Sequence, residues 1–446
     1  MTADISIGGT PAAAPGTGLL GRARRSDRTA RTSWLAALRA SLDRPLTSYY
    51  LLLGATALLL TIGLIMVLSA SSVYSFTVYD DSYTVVRRQL MWVVIGLPVA
   101  FLASRMSLRW MRRFVVLAFV VSLVLLLLTA FIGKVVNGNQ NWLGVGSLAI
   151  QPSEVAKLSL ILWAAHVYAN KERRLGSLHQ VMVPVVPGML LATILVVLGH
   201  DVGTALVFFA IMIGMLWVVG VPARVFVMAM LVVSTTAIVL ATSSAERMAR
   251  ITTFTDPMRD FRGDGWQAGH GLFALASGGI TGQGIGASQQ KWGSLPEAHT
   301  DFIFAVLGEE LGLAGTLLVV GLFLTIAFAA LRVARDTTDP FVRYASFGIV
   351  VWLIGQMMIN VGMVLALLPV IGIPLPLISY GGSSLVPVLV ALGLLVGFAR
   401  REPAAARALA QRRKLRSAGL SSPAPARVAS AVSPASRRSA SRRAEV

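Results

Sequence analysis

The chain has 446 residues, of which 55% are hydrophobic and only 13% charged, with a formal charge of +19. A soluble globular domain carries about 25% charged residues, so this composition places most of the chain in lipid. There is no cysteine, and the five histidines are scattered, which excludes disulfides, thiolate catalysis, Cys-ligated metals and an HExxH-type metal motif.

In chain order, residues 1–47 come first, with seven Arg against three Asp. Rich in Ala, Ser, Pro and Arg and poor in aromatics, they read as a disordered basic tail. They lack the charged start and apolar core of a cleavable signal peptide. Trp34, Leu38 and Leu42 recur at helical spacing within them and suit either a short surface helix or plain disorder. A spanning helix needs about 20 mostly apolar residues, and the pattern predicts ten spans near 48–70, 89–104, 114–132, 153–169, 181–199, 203–220, 225–245, 302–331, 344–369 and 384–399. Residues 401–446 form a second basic tail with disordered composition, so most of the net charge lies on the tails.

The short connections near 105–113, 170–174, 221–224 and 332–343 are basic. Together with both tails they belong in the cytoplasm by the positive-inside rule. The tails thus read as membrane-protein tails, with no nucleic-acid partner. The fold class expected is an all-α polytopic membrane protein of about ten helices. Both termini are cytoplasmic, and a large outer loop, 246–301, lies between spans 7 and 8. That loop is nearly neutral, with five Lys/Arg and six Asp/Glu. Arg87 and Arg88 fall on the outer side against the rule and suit an anionic contact there. No internal repeat supports an inverted-repeat transporter.

Chemistry concentrates at the outer boundary. The stretch LPEAHTDFIFAVLGEELG sets Glu297, His299 and Asp301 before an apolar run containing Glu309 and Glu310. Asp301 suits a helix N-cap, or a general base whose partial burial raises its pKa toward a useful range. Glu297 and His299 could orient a sugar or hold a cation, and Lys291 could meet a phosphate. The run GGITGQGIG brings backbone N–H groups close to whatever it covers, but it is no P-loop. Glu154 and Lys157 in QPSEVAK share one helix face and can pair, structurally or toward a polar cavity. Asp201 is a loop or cap residue. The Pro-broken segment LLPVIGIPLPLISYGGSS, with Ser379 and Ser383, is either a re-entrant connection or a headgroup contact, since such backbone is tolerated only where protein or a cavity satisfies it.

QPSEVAK, HTDFIFAVLGEELG and GIPLPLISYGGSS, in this chain order among ten spans, resemble the SEDS family (shape, elongation, division and sporulation). The resemblance covers residues 48–400 and is nearer the division members than the elongation members. It implies a peptidoglycan glycosyltransferase that polymerises lipid II on the outer face of the cytoplasmic membrane, beside a class B penicillin-binding protein and other divisome proteins at the septum. It carries the catalytic role to Asp301, with inverting displacement of undecaprenyl pyrophosphate. A divalent cation (Mg or Mn), Lys291 or Arg250 would neutralise the leaving group, with no organic cofactor. Glu297 and His299 come next, and Glu154, Lys157, Ser379 and Ser383 would shape a polar cavity. Two places depart from the family pattern. Gln140 and Asn141 stand where a pair of arginines is usual, and Gly199 and His200 stand where Gln-Pro is usual, so no phosphate role passes to that loop. A lipid flippase is the competing class, with a scaffold whose tails recruit division proteins as a third.

Overall fold

The computed structural model describes residues 44–136, 139–145, 148–242, 258, 263 and 265–417. Each expected span holds a helix: α1 (Thr47–Tyr79), α2 (Thr84–Arg105), α3 (Leu108–Ile132), α4 (Pro152–Lys171), the pair α5 (Leu178–Met182) and α6 (Val185–Leu198), α7 (Val202–Val218), α8 (Ala223–Thr242), then α10 (Ile303–Asp336), α11 (Pro340–Val364) and α12 (Leu385–Ala399). Among the described residues, seven helices are long and apolar enough to cross a membrane: α1, α2, α3, the α5–α6 pair, α10, α11 and α12 with the turn before it. Helix α7 is apolar but shorter, and α4 and α8 fall outside that set. The protein is a helical, multi-pass membrane protein.

Four differences from the sequence expectation have physical causes. Helix α1 continues to Tyr79 instead of stopping near 70, because the polar stretch SASSVYSF is still helical and turns buried serines inward. The connection after α3 is a small antiparallel sheet of β1 (Lys134–Val136), β2 (Asn139–Val145) and β3 (Leu148–Ile150), in the order β1-β2-β3. The outer loop contains α9 (Trp266–Gly278). The second tail begins as α13 (Pro403–Ser417), whose Ala, Leu, Gln, Lys and Arg are strong helix formers. The 1–43 segment, with its Trp34–Leu42 pattern, and Arg250 lie outside the described residues.

The bundle is organised around α12. Its apolar stretch is 83% buried, against 28% for α2 and for α3, as expected of a helix that is apolar on every side. A Cβ at Gly393 or Gly397 would meet the Ala100 or Ser104 carbonyl of α2 at 2.3 or 2.6 Å. Small residues at this spacing let two helix backbones approach closely, and α12 accordingly packs most extensively on α2.

Helix α10 is broken at Gly312, with φ 66° and ψ −166°. The break frees carbonyls before it and N–H groups after it, and the glycine-rich run supplies their partners. The N–H groups of Gln283 and Gly284 donate to the carbonyls of Glu309 and Glu310, at 3.0 Å each. Those of Leu313 and Ala314 donate to Gly279 and Ile280, at 2.9 and 3.1 Å. A Cβ at Gly282, with φ +81°, would lie 2.2 Å from the Glu310 carbonyl oxygen. The run is therefore a folded plug for a broken helix, with four of its backbone groups bonded to α10 rather than to a ligand. Irregular backbone at this depth is satisfied by protein, as a membrane interior requires.

Candidate active site

The half-helix before Gly312 carries the site. Residues Phe302–Glu310 are all buried, so the chain enters the bundle through protein, with Asp301 at its mouth. A turn precedes it, in which Thr300 and Phe302 donate their backbone N–H groups to the Glu297 carbonyl. Glu297 holds a left-handed φ of 53° and accepts from the Thr300 hydroxyl at 2.6 Å.

Asp301 does not cap the helix. Phe302 occupies the cap position and no side chain serves there. Among the described residues, no hydrogen bond or ion pair reaches the Asp301 carboxylate. Its backbone carbonyl is instead held by Asn360 Nδ2 at 2.8 Å, and the same nitrogen donates to the Ile373 carbonyl at 2.7 Å. Asn360 thus clamps the 301 turn to the Pro-broken segment. A Cβ at Gly372, with φ +77°, would stand 3.2 Å from Asp301 Oδ2, so the backbone of that segment lies over the carboxylate. Enclosure raises the Asp301 pKa to about 7; burial is the largest cause, and the negative charges of Glu297 and Asp201 add to it. Burial lowers the pKa of His299 while Glu297 opposes it, which favours a neutral ring at pH 7. That ring stacks on Tyr74 with centroids 4.8 Å apart and tilts against Tyr380 at 5.9 Å.

The other residues expected at the site are brought near but are occupied. Lys291 donates to Gly286 O at 2.7 Å, to Ser69 Oγ at 3.0 Å and to Glu310 Oε1 at 3.2 Å. An ammonium has three donors, and all three are engaged inside the protein, so Lys291 serves here as a structural ion-pair partner. Glu309 accepts from the Ser288 hydroxyl at 2.6 Å and the Gln289 N–H at 2.9 Å. Both glutamates therefore tie the outer loop to α10. Ser379 Oγ accepts from Leu375 N at 2.8 Å, and Ser383 Oγ accepts from Gln151 N at 3.0 Å. Both hydroxyls hold backbone in place. Asp201 caps α7 through Thr204 and accepts from Asn141 Nδ2 at 2.9 Å, so Asn141 buttresses that carboxylate.

Glu154 and Lys157 form a fully buried pair at 2.8 Å. Lys157 also donates to Gln356 Oε1 at 3.1 Å, and Gln356 Nε2 donates to the Pro374 carbonyl at 2.9 Å. Gln356 and Asn360 lie one turn apart on α11. The pair is thus linked through α11 to the segment that covers Asp301 and does not line an open cavity. Sequence reasoning misses Gln356 and Asn360. Their signal is two amides at i, i+4 in an otherwise apolar span, where a polar side chain faces the interior and needs a partner. Tyr74 gives no local signal, whereas Gly372 and Tyr380 lie in the Pro-broken segment that the sequence already marks.

Among the described residues, no three His, Asp or Glu come together to hold a metal. Magnesium often takes only one or two carboxylates plus substrate phosphates and keeps several waters. A shared arrangement of that kind would draw on Glu297 and the substrate's phosphates, not on an all-protein cage. A separate groove of about 680 Å³ runs between α1 and the 285–292 segment, lined by Ile65, Ser69, Phe76, Ile285 and Trp292 among others. Asp301, Glu297 and His299 do not line it.

Residues 50–403 match the family described as "Cell cycle protein" and named for FtsW, RodA and SpoVE. The probable peptidoglycan glycosyltransferase FtsW of Mycobacterium tuberculosis is 41% identical, over 83% of this chain and 71% of its own length. Stage V sporulation protein E of Bacillus subtilis is 38% identical, over 78% of this chain and 96% of its own. Among solved structures, a chain of a peptidoglycan synthase complex that coordinates polymerization and crosslinking superposes with a TM-score of 0.64 at 26% identity, covering 79% of this chain and 97% of that one. The rod shape determining protein RodA of Thermus thermophilus gives 0.58 at 26% identity, with the same coverage.

Proposed function

The chain belongs to the FtsW, RodA and SpoVE family of cell cycle proteins and is a peptidoglycan glycosyltransferase; from that premise we propose that it polymerises lipid II during septal wall synthesis, with Asp301 as general base. One observation carries the assignment of the base. Asp301 is the carboxylate whose pKa is raised to about 7, and its oxygens have no partner among the described residues. A base works best when its pKa lies near the operating pH and its lone pairs are free to accept the proton.

In the proposed reaction, the C4 hydroxyl of the acceptor sugar gives its proton to Asp301 as its oxygen attacks C1 of the donor sugar. The O4–C1 bond forms, the bond from C1 to the diphosphate oxygen breaks, and undecaprenyl diphosphate departs with its electron pair. A single displacement inverts the configuration at C1. Glu297 and His299 flank the sugars, and packing against Tyr74 and Tyr380 fixes the neutral His299 ring in place. Glu154, Lys157, Ser379 and Ser383 act at a distance by fixing the segment over Asp301. A divalent cation, when bound, would supply charge neutralisation at the diphosphate. The arginine distribution supports an outer-face site with both tails inside. The likeness to a chain from a synthase complex supports partnership with a class B penicillin-binding protein. The buried, bonded state of Glu154, Lys157, Glu309 and Glu310 supports a polymerase over a flippase, since a translocation path needs charges that face water.

The test is to incubate the purified full-length protein with lipid II, a divalent cation and its class B partner and to resolve the products on a gel. Long glycan is expected. Its absence, with lipid II headgroup crossing the bilayer in a translocation assay, would replace this reading with transport. A second expectation concerns the clamp. Asn360→Leu removes the donor from two buried carbonyls and loosens the 301 turn, and displacing a reacting group by about 1 Å costs roughly a hundredfold. We expect kcat to fall roughly ten- to a hundredfold with little change in KM. An unchanged kcat would show that the clamp is dispensable.

A further inference from the structure

Arg87 and Arg88 open α2 and look alike in sequence, but the structure separates them. Arg87 pairs with Asp81. Arg88, exposed, has no carboxylate partner among the described residues. Its guanidinium lies 4.8 Å over the Tyr79 ring and reaches the Tyr79 hydroxyl at 3.3 Å, and it also contacts the Tyr380 side chain. Tyr380 in turn donates its backbone N–H to the His299 carbonyl at 2.9 Å. The next residue on the helix, buried Gln89, donates to the Ser379 carbonyl at 3.3 Å. Helix α2 is therefore pinned to the Pro-broken segment, and Arg88 is set in an aromatic frame one residue contact from His299 and the Asp301 turn.

A stacked guanidinium keeps its edge available for a planar, bidentate anion. The frame also limits the side-chain freedom that an exposed arginine would otherwise lose on binding. The electrostatics of the neighbourhood call for such a group. Asp301, Glu297 and Asp201 are all acidic, and a leaving diphosphate adds more negative charge to the same place. Charge that develops on a leaving group is best met by a preorganised cation. Lys291 is engaged by Gly286, Ser69 and Glu310. We propose that Arg88, framed by Tyr79 and Tyr380, is the anion subsite that holds the diphosphate of the polyprenyl-linked donor. This rests on the glycosyltransferase reading above and adds to it the residue that neutralises the leaving group.

The test is direct binding, so it does not depend on turnover. Full-length protein in phosphatidylcholine nanodiscs is titrated with undecaprenyl diphosphate and, separately, with undecaprenol. Wild type is compared with Arg88→Ala, Arg88→Gln and Arg88→Lys. A charge-assisted contact corresponds to roughly tenfold or more in affinity. Arg88→Ala and Arg88→Gln should lose that factor for the diphosphate and leave undecaprenol binding unchanged, and Arg88→Lys should keep part of it. In turnover assays the same variants should lower kcat as well as raise KM, because the charge that Arg88 meets builds up in the transition state. Equal diphosphate affinity in wild type and Arg88→Ala would overturn the proposal. So would competition by phosphatidylglycerol as strong as that by the diphosphate, which would assign Arg88 to the bilayer's own headgroups. A wild type that makes no glycan yet loses diphosphate affinity in Arg88→Ala would keep the anion subsite and remove only the polymerase reading.

Discussion

Asp301→Asn should abolish glycan synthesis, with a loss of roughly 10²–10⁴-fold in turnover, the range that a positioned general base contributes. The fold should survive, because the carboxylate makes no hydrogen bond among the described residues that the amide would forfeit. Wild-type activity should rise through pH 7 as the group ionises, since its pKa is raised to about 7 and the base is the deprotonated form. The stability change has the opposite sign. A carboxylate whose folded pKa lies above its ordinary value of 3.8 favours the folded state while protonated. That contribution is complete below the ordinary value and is lost as pH climbs through about 7. The amide of the Asp301→Asn variant would not titrate, so thermal unfolding in detergent should show the variant gaining on wild type between about pH 4 and pH 7. A variant that keeps full activity would move the base elsewhere. A stability difference that is flat with pH would show that the raised pKa is absent.

The second large effect lies in the bundle. Lys157→Met should destabilise the protein by about 3–5 kcal/mol, the cost of leaving one member of a buried ion pair uncompensated. Lys157 and Glu154 are 1% and 2% exposed, so water cannot relieve the charge, and Gln356 would lose one of its two donors, keeping Trp352. Adding Glu154→Gln on the same background should recover much of the loss, because the remaining group is then neutral. Thermal unfolding of the two single variants and the double variant measures this coupling directly. Additive losses in the double variant would mean that the pair does not interact. Glycan synthesis should fall in Lys157→Met beyond what unfolding explains, because Gln356 holds the Pro374 carbonyl beside the Asp301 cover. Normal turnover by the folded fraction would confine the pair to stability.

Much of the candidate site was readable in one dimension because its residues are neighbours in sequence. Glu297, His299 and Asp301 fall within one turn before an apolar run, and Glu154 and Lys157 are three apart on one helix, where pairing is a local property. What those residues do was less readable. From sequence, Lys291 suits a phosphate and one of Glu309 and Glu310 suits a partner in the bundle or a polar cavity; the structure pairs Lys291 with Glu310. Their pairing also needs Ser69, which is 222 residues from Lys291. The glycine-rich run suits a flexible or tightly folded surface loop or a phosphate contact, and the break at Gly312 shows which backbone groups it serves.

Composition and apolar runs alone determined that this is a polytopic helical membrane protein and where ionisable groups gather in its sequence. A helix buries itself in lipid by its own residues, and its hydrogen bonds are local, so both properties are written in consecutive positions. The tertiary structure alone decided that Asp301 is uncapped and enclosed, that Asn360 and Gly372 hold the cover over it, and that Lys291 is paired with Glu310 while Arg88 has no carboxylate partner among the described residues. Each of these depends on which helix faces meet. That is set by close packing between segments far apart in the chain, such as Gly393 and Gly397 against α2, and no local pattern encodes it.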